Sequence, residues 1–236
     1  KIPEVVLNNL IPKVYIIAGP TAVGKTAVAM ALAQRLGTMI VSADSRQCYA
    51  EMSVGTAKPT RAELEQVHHY FVNAFPVSRV LSAADYEVLA LQYLNEIFTR
   101  SNYAVVCGGT GLYIKALCEG LDAMPEADMA IVSEAEAAYK EYGLAWLQQR
   151  IKQEDPEFYA NGEIQNPARM LRALSFVRTT GRSIIHYRTA QKKIRPFDII
   201  KAGLELPRAE LYDRINKRVD AMMAQEIGRA SCRERV

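Results

Sequence analysis

The sequence predicts an α/β protein, a parallel sheet covered on both faces and interrupted by a helical insertion. Three observations predict it. Up to Gly120, short apolar runs rich in β-branched residues alternate with amphipathic stretches; such runs read as strands buried on both faces. From there to about Arg195 no convincing strand pattern occurs. A strand pattern then returns in "FDIIKAGLEL", ahead of a last amphipathic stretch. The expected divisions are 11–120 for the first part of the core, 121–195 for the insertion, 196–225 for the return and 226–236 for a non-native tail.

Element by element, "KVYIIAGP" is a buried strand ending at Gly19, and "TAVAMALAQRLG" is a helix stopped by Gly37. "TMIVSAD" is a second strand that delivers Asp44, and "HHYFVNAF" is a candidate third. "SAADYEVLALQYLNEIFTRSN" opens with Ser82 and Asp85 at capping-box spacing and keeps Tyr86, Leu89, Tyr93, Leu94 and Ile97 on one face. "YAVVCGGTG" is a strand running into a glycine turn, followed by the helix "LYIKALCEG". In the insertion, "NPARMLRALSFVRTTG" is bracketed by Asn166 as N-cap, Pro167 at the first position and Gly181 at the end. "PRAELYDRINKRVDAMM" is amphipathic along Leu211, Ile215, Val219 and Met222.

Composition narrows the class. Half of the 236 residues are hydrophobic and 23% are charged, ordinary for a globular protein. There is no apolar run of about eighteen residues and no charged-then-apolar leader, so the expectation is a cytoplasmic protein with no membrane partner. Cys48, Cys107, Cys118 and Cys232 form no CxxC pair, and His68 and His69 have no third ligand at metal spacing, which points to a reduced compartment and structural histidines. The final "EIGRASCRERV" breaks the periodicity before it and reads as a translated sequencing adapter; the natural chain is expected to be cut near Gln225. Without that tail the net charge drops from +3 to +2, too little to argue for a partner.

The strongest motif is "GPTAVGKT", which fits G-x-x-x-x-G-K-[ST] with a strand before it and a helix after it. The expected core is therefore P-loop NTPase-like. Gly19, Pro20, Thr21, Ala22, Val23, Gly24, Lys25 and Thr26 form a phosphate cradle: the glycines let successive N–H groups turn toward phosphate oxygens, Lys25 neutralises them, and Thr26 can ligate Mg²⁺. The strand ending "VVCGG" carries no carboxylate and no Asn-Lys-x-Asp guanine reader exists, which disfavours hydrolysis as the main activity. Asp44 instead stands at a strand end, where ligands bind in open α/β sheets, and can act as a base; its other reading is a turn cap. Two enzyme classes remain: a P-loop kinase of small molecules or nucleosides, or a transferase moving another group off a phosphorylated donor.

Between Glu163 and Asp198 there is no acidic residue, while Arg169, Arg172, Arg178, Arg182, Arg188, Lys192, Lys193 and Arg195 are all basic. That imbalance suits a polyanion-binding face better than a solvated one.

"GPTAVGKT", "SADSRQCY", "GTAKPT", "LSAADY", "GGTGLYIKAL", "DPEFYA", "NPARMLRAL" and "ELYDRINKRV", in that order, resemble the bacterial tRNA dimethylallyltransferase family over about Lys13 to Gln225. The resemblance implies transfer of a dimethylallyl group from dimethylallyl diphosphate to the exocyclic amine of the adenosine 3′ of the anticodon, with Mg²⁺. It implies diphosphate in the Gly19–Thr26 loop, Asp44 as base, and Thr110 and Arg214 on the donor's diphosphate. It also implies tRNA contacts from Asp44, Ser45, Arg46, Gln47 and Thr110, and from the helix carrying Ala168, Arg169, Met170, Leu171 and Arg172, which would grip the anticodon stem-loop. Two positions depart from the family pattern: Val132 stands where an Arg is usual, and Ser175 where an acid is usual. A monomer is the expectation.

Overall fold

The computed structural model describes residues 10–189 and 191–224; the expected cut near Gln225 and the expected tail lie outside the described residues. Leu121–Lys192 form one compact unit, and the described residues up to Gly120 and from Lys193 form the other.

The core unit is built on five parallel strands, β1 (Lys13–Ala18), β2 (Ile40–Ser42), β3 (His69–Tyr70), β4 (Tyr103–Cys107) and β5 (Asp198–Gly203), in the order β3-β2-β4-β1-β5. Alternation along these strands sorts their side chains onto two faces. Val14, Ile16, Val41, Ala104 and Val106 pack with α3 (Ala83–Phe98) and α4 (Gly111–Glu119). Ile17, Ile40 and Val105 pack with α1 (Lys25–Leu36) on the opposite side. This is the two-faced burial that the apolar runs imply.

The chain from β1 runs outward to β2 on one side, whereas the chain from β4 returns as β5 on the other side of β1. The carboxyl ends of β1 and β4 therefore flank a topological switch point, where open α/β sheets hold ligands. Ser82 caps α3 by accepting from the Asp85 N–H, while the Asp85 carboxylate accepts from the Ser82 N–H at 2.9 Å, the expected capping box. A second box, Thr60 with Glu63, opens the short α2 (Arg61–Gln66), which the sequence reading left unassigned.

Several boundaries differ from expectation. The second strand stops at Ser42, because Ala43 onward bends into a turn, and the candidate third strand has two residues. The return to the core comes at Lys193, not Pro196. There the Lys193 N–H donates to the Glu119 carbonyl at 2.8 Å, and Arg195 donates to the Leu117 and Ala116 carbonyls and to buried Glu87. The last helix, α8 (Arg208–Met222), buries none of its residues, so its apolar stripe packs into no core.

The helical unit contains α5 (Met129–Glu154), α6 (Pro156–Asn161), α7 (Pro167–Thr180) and a 3-10 turn (Ile184–Tyr187), with no strand among its described residues. Its core gathers Leu147 and Ile151 of α5, Phe158 of α6, and Met170, Leu174 and Phe176 of α7. Asn166 caps α7 by accepting from the Arg169 N–H, and Pro167 occupies the first turn, as the bracketing residues predict. Gly143, at φ 76°, breaks the helical path inside α5. None of the described helices is long and apolar enough to cross a membrane.

Candidate phosphate-binding active site

The loop between β1 and α1 turns on glycines for steric reasons. A Cβ on Gly19 would lie 2.6 Å from the Leu204 carbonyl oxygen, and Gly24 adopts φ 102° at the N-cap of α1. Ala22 also takes a positive φ of 66°. No side chain caps α1, so the N–H groups of its first turn remain available to an anion. The Lys25 ammonium folds back over the loop and donates to the Gly19 and Pro20 carbonyls at 2.9 and 2.7 Å. Burial holds its pKa below the ordinary lysine value; Cys107 raises it, the Arg218 guanidinium lowers it further and Asp44 raises it.

At the end of β4 the backbone passes unusually close to the end of β2. A Cβ on Gly108 would sit 2.2 Å from the Ala43 carbonyl oxygen, so only glycine fits there. This approach lets the Thr110 N–H donate to the Ala43 carbonyl at 3.0 Å, while the Thr110 hydroxyl accepts from the Ser45 N–H at 3.0 Å. The two strand exits are thereby locked together around Asp44. Burial pushes the neighbouring Cys107 thiol up to about 11, which keeps it protonated at neutral pH.

Asp44 lies in the turn that follows. Its Oδ1 accepts from the Arg46 and Gln47 N–H groups at 2.9 and 3.2 Å, leaving Oδ2 without a partner among the described residues. The turn-cap role and a chemical role thus fall on different oxygens. The Gln47 amide is occupied within its own loop: Nε2 donates to the Thr56 and Ala57 carbonyls at 3.2 and 3.0 Å, and Oε1 accepts from Ser42 at 3.4 Å. A side chain expected to contact tRNA thus pins residues 56–57 in this structure.

These parts surround a cleft of about 760 Å³. Its charged lining is Lys25, Arg46, Arg214, Lys217 and Arg218 against Asp44 and Glu63, and Lys217 pairs with Asp213 at 2.7 Å. Glu63 is committed to capping α2, and Arg214 pairs with Glu210 at 2.8 Å. Arg218 has no ion-pair partner among the described residues; sequence reasoning passed over it, although it follows Arg214 by one helical turn. Ser45 and Thr110 stand beside the cleft and are tied to each other; they do not line it, and Val23 is buried in the core. The Thr26 hydroxyl is a hard oxygen donor in this lining and fits a Mg²⁺ ion shared with phosphate. Among the described residues no cluster of three His, Cys, Asp or Glu side chains could hold a metal alone. His69 is buried, its Nδ1 bonded to the Val67 carbonyl at 2.8 Å, and His68 meets Tyr70 edge-on.

In the helical unit, Ala168, Arg169 and Arg172 are exposed on α7. Met170 is fully buried in that unit's core, so it cannot touch RNA as expected, and Leu171 is only partly exposed. Ser175, where the family pattern has an acid, is buried as well. The stretch without acids in sequence meets acids in space: Arg169 pairs with Glu163, Arg178 with Glu154 at 2.7 Å and with Glu134, and His186 with Glu157 at 2.7 Å.

Residues 47–229 match the family model described as IPP transferase. The chain belongs to the IPP transferase family. It is 43% identical over 210 residues to the tRNA dimethylallyltransferase of Cytophaga hutchinsonii, covering 89% of this chain and 69% of that protein. To tRNA dimethylallyltransferase 1 of Bacteroides thetaiotaomicron it is 42% identical, covering 91% and 70%. Among solved structures it resembles the full-length tRNA isopentenylpyrophosphate transferase of Bacillus halodurans, at a TM-score of 0.60 and 36% identity over 91% of this chain and 67% of that one. A eukaryotic dimethylallyltransferase acting on tRNA shares the fold at a TM-score of 0.73 and 22% identity, covering 91% and 54%.

Proposed function

We propose that this IPP transferase family member transfers a dimethylallyl group from dimethylallyl diphosphate to the exocyclic amine of the adenosine 3′ of the anticodon in tRNA. The observation that carries the reading is an unpartnered carboxylate oxygen on Asp44 in the same cation-lined cleft as an uncapped phosphate loop, in a chain with tRNA dimethylallyltransferase relatives. The kinase alternative has no comparable support among those relatives.

In this reading the Gly19–Thr26 N–H groups and Lys25 bind the donor's diphosphate, with Arg214 and Arg218 across the cleft. The adenine amine attacks the donor's first carbon, the carbon–oxygen bond breaks, and its electron pair leaves with diphosphate. Asp44 Oδ2 takes the amine proton; an aromatic amine is a weak nucleophile, so removing its proton as the bond forms lowers the barrier. Loop donors and cations stabilise the charge that grows on the leaving group. Thr26 would hold Mg²⁺, which would supply further neutralisation of diphosphate charge. The exposed Arg169 and Arg172 grip backbone phosphates of the anticodon stem-loop, positioning it without reading sequence. We place the protein in the cytoplasm, as a monomer.

The test is incubation of the purified chain with Mg²⁺, unmodified tRNA and radiolabelled dimethylallyl diphosphate. Label is expected in the tRNA. No label in tRNA, together with phosphate moving from ATP to a small acceptor, would transfer the assignment to a kinase.

A further inference from the structure

The stripe Leu211, Ile215, Val219 and Met222 has the spacing of a core-facing helix side, yet none of the four is buried and Val219 is 50% exposed. Three of them, Ile215, Val219 and Met222, line the same cleft as the phosphate loop. Spacings of four and three put them on one face of α8, and Arg214 and Arg218 each precede one of the apolar pair by a single residue. One helix therefore presents cations and hydrocarbon side by side to the cleft.

The rest of the lining makes this face distinctive. Apart from these three, the residues around the cleft are glycines, alanines, polar or charged side chains, and Cys107. A ligand with a diphosphate head and a short hydrocarbon tail has no other large apolar surface to lie against. Its head needs cations and N–H groups, its tail needs contact that excludes water, and α8 supplies the second beside the first.

We infer that Ile215, Val219 and Met222 form the seat for the hydrocarbon chain of a prenyl diphosphate and set the chain length accepted. The inference rests on the donor reading of the proposed function and adds to it the residues that select the donor. The rise from Ile215 to Val219 is about 6 Å, one turn of helix, which suits a single isoprene unit. A second unit exceeds that length and would have to share the space with Met222, three residues beyond Val219 on the same face.

The test is calorimetric titration of the full chain, with Mg²⁺, using inorganic diphosphate, dimethylallyl diphosphate and geranyl diphosphate. The wild-type chain is expected to bind dimethylallyl diphosphate about thirtyfold more tightly than inorganic diphosphate, a fraction of the full burial value for five carbons. Combining Ile215→Ser with Val219→Ser is expected to cut that preference to about threefold or less and to leave inorganic diphosphate within about twofold. Val219→Ala is expected to move the ratio of geranyl to dimethylallyl affinity toward the longer chain by roughly tenfold, and Ile215→Val to keep the wild-type preference. Equal affinity of the wild type for inorganic and dimethylallyl diphosphate would overturn the donor reading and the seat with it. A wild-type preference that survives in the double serine variant would overturn the seat alone and mark the stripe as a packing face for further polypeptide. Parallel loss of both ligands in a variant that melts normally would also overturn it.

Discussion

The cations of the two units are used differently. In the core unit, Arg46 and Arg218 face the cleft with no ion-pair partner among the described residues, and Lys25 bonds only to loop carbonyls. In the helical unit Arg169 and Arg178 each have a carboxylate, supplied by α5 or by the segment between α6 and α7. Arg172, Arg182 and Arg188 have no carboxylate partner there among the described residues. At the cleft Lys25, Arg46 and Arg218 keep their charge available for an anion. Other cations of the core are committed, since Lys193 and Arg195 share Glu87 and Arg214 pairs with Glu210; in the insertion Arg169 and Arg178 commit theirs to neighbouring carboxylates. A count of basic residues therefore overstates binding capacity in both units; what marks the core is that cations without an ion-pair partner among the described residues gather beside the phosphate loop.

The largest test of that contrast is at Asp44. Asp44→Asn keeps an oxygen acceptor for the Arg46 and Gln47 N–H groups but removes the base, so prenyl transfer should fall by about 10²–10⁴ with an unchanged melting temperature. Asp44→Ala should lose activity equally and also lose the turn, at a stability cost of about 1 kcal/mol. If Asp44→Asn retained activity within about tenfold, the cap would be the residue's whole role.

Next in size is Gly108→Ala. The added carbon meets backbone, not a flexible side chain, so thermal or urea unfolding should register a loss of roughly 3 kcal/mol or more, without any change in the helical unit's ion pairs.

Arg178→Ala probes the other side. Its pair with Glu154 is mostly shielded from solvent, and unfolding should show about 1–3 kcal/mol of destabilisation with tRNA affinity nearly unchanged. The hydrogen bond from Arg178 holds the Glu154 carboxyl below its ordinary value of 4.5, against a smaller opposing effect of burial. A lowered folded-state pKa gives stability that is complete above the ordinary value and is lost as pH falls through the folded one. The stability difference between wild type and Arg178→Ala should therefore be full above pH 4.5 and shrink as pH falls through the lowered value of Glu154.

The smallest effect compares two neighbours on α7. Arg172→Ala should weaken tRNA binding and reduce the salt slope by about one phosphate contact. Arg169→Ala should do less, because its guanidinium already shares Glu163. Equal slopes in both variants, or no change when the two are combined, would remove α7 from the phosphate grip.

What could be read in the sequence follows the same division. The phosphate loop was legible because its geometry is a backbone property: Gly19 and Gly24 encode it locally, and the strand and helix around it confirm it. The strands, α3 with its cap, and α7 with its bracketing residues were legible for similar local reasons. Occupancy of side chains was not. Nothing near Gln47 in sequence announces that Thr56 and Ala57 take its amide, and nothing near Arg178 announces Glu154, because those partners arrive through tertiary packing. Met170 was misassigned since motif membership does not reveal which way a helical residue points, although its spacing of four from Leu174 placed it on the apolar face. Arg218 was within reach, as one turn after Arg214 means the same helix side.

The hydrogen bond from the Lys193 N–H to the Glu119 carbonyl has a further consequence. It makes Leu121–Lys192 a closed excursion, leaving and rejoining the core at one doorway already stapled by Lys193 and Arg195 on Glu87. In engineering language the insertion is a cassette: a short turn from Gly120 to Lys193 should bridge the gap, and different cassettes should be exchangeable on one catalytic chassis. Under the proposed reading, a change of nucleic-acid partner would enter at that doorway while the phosphate chemistry stayed as it was.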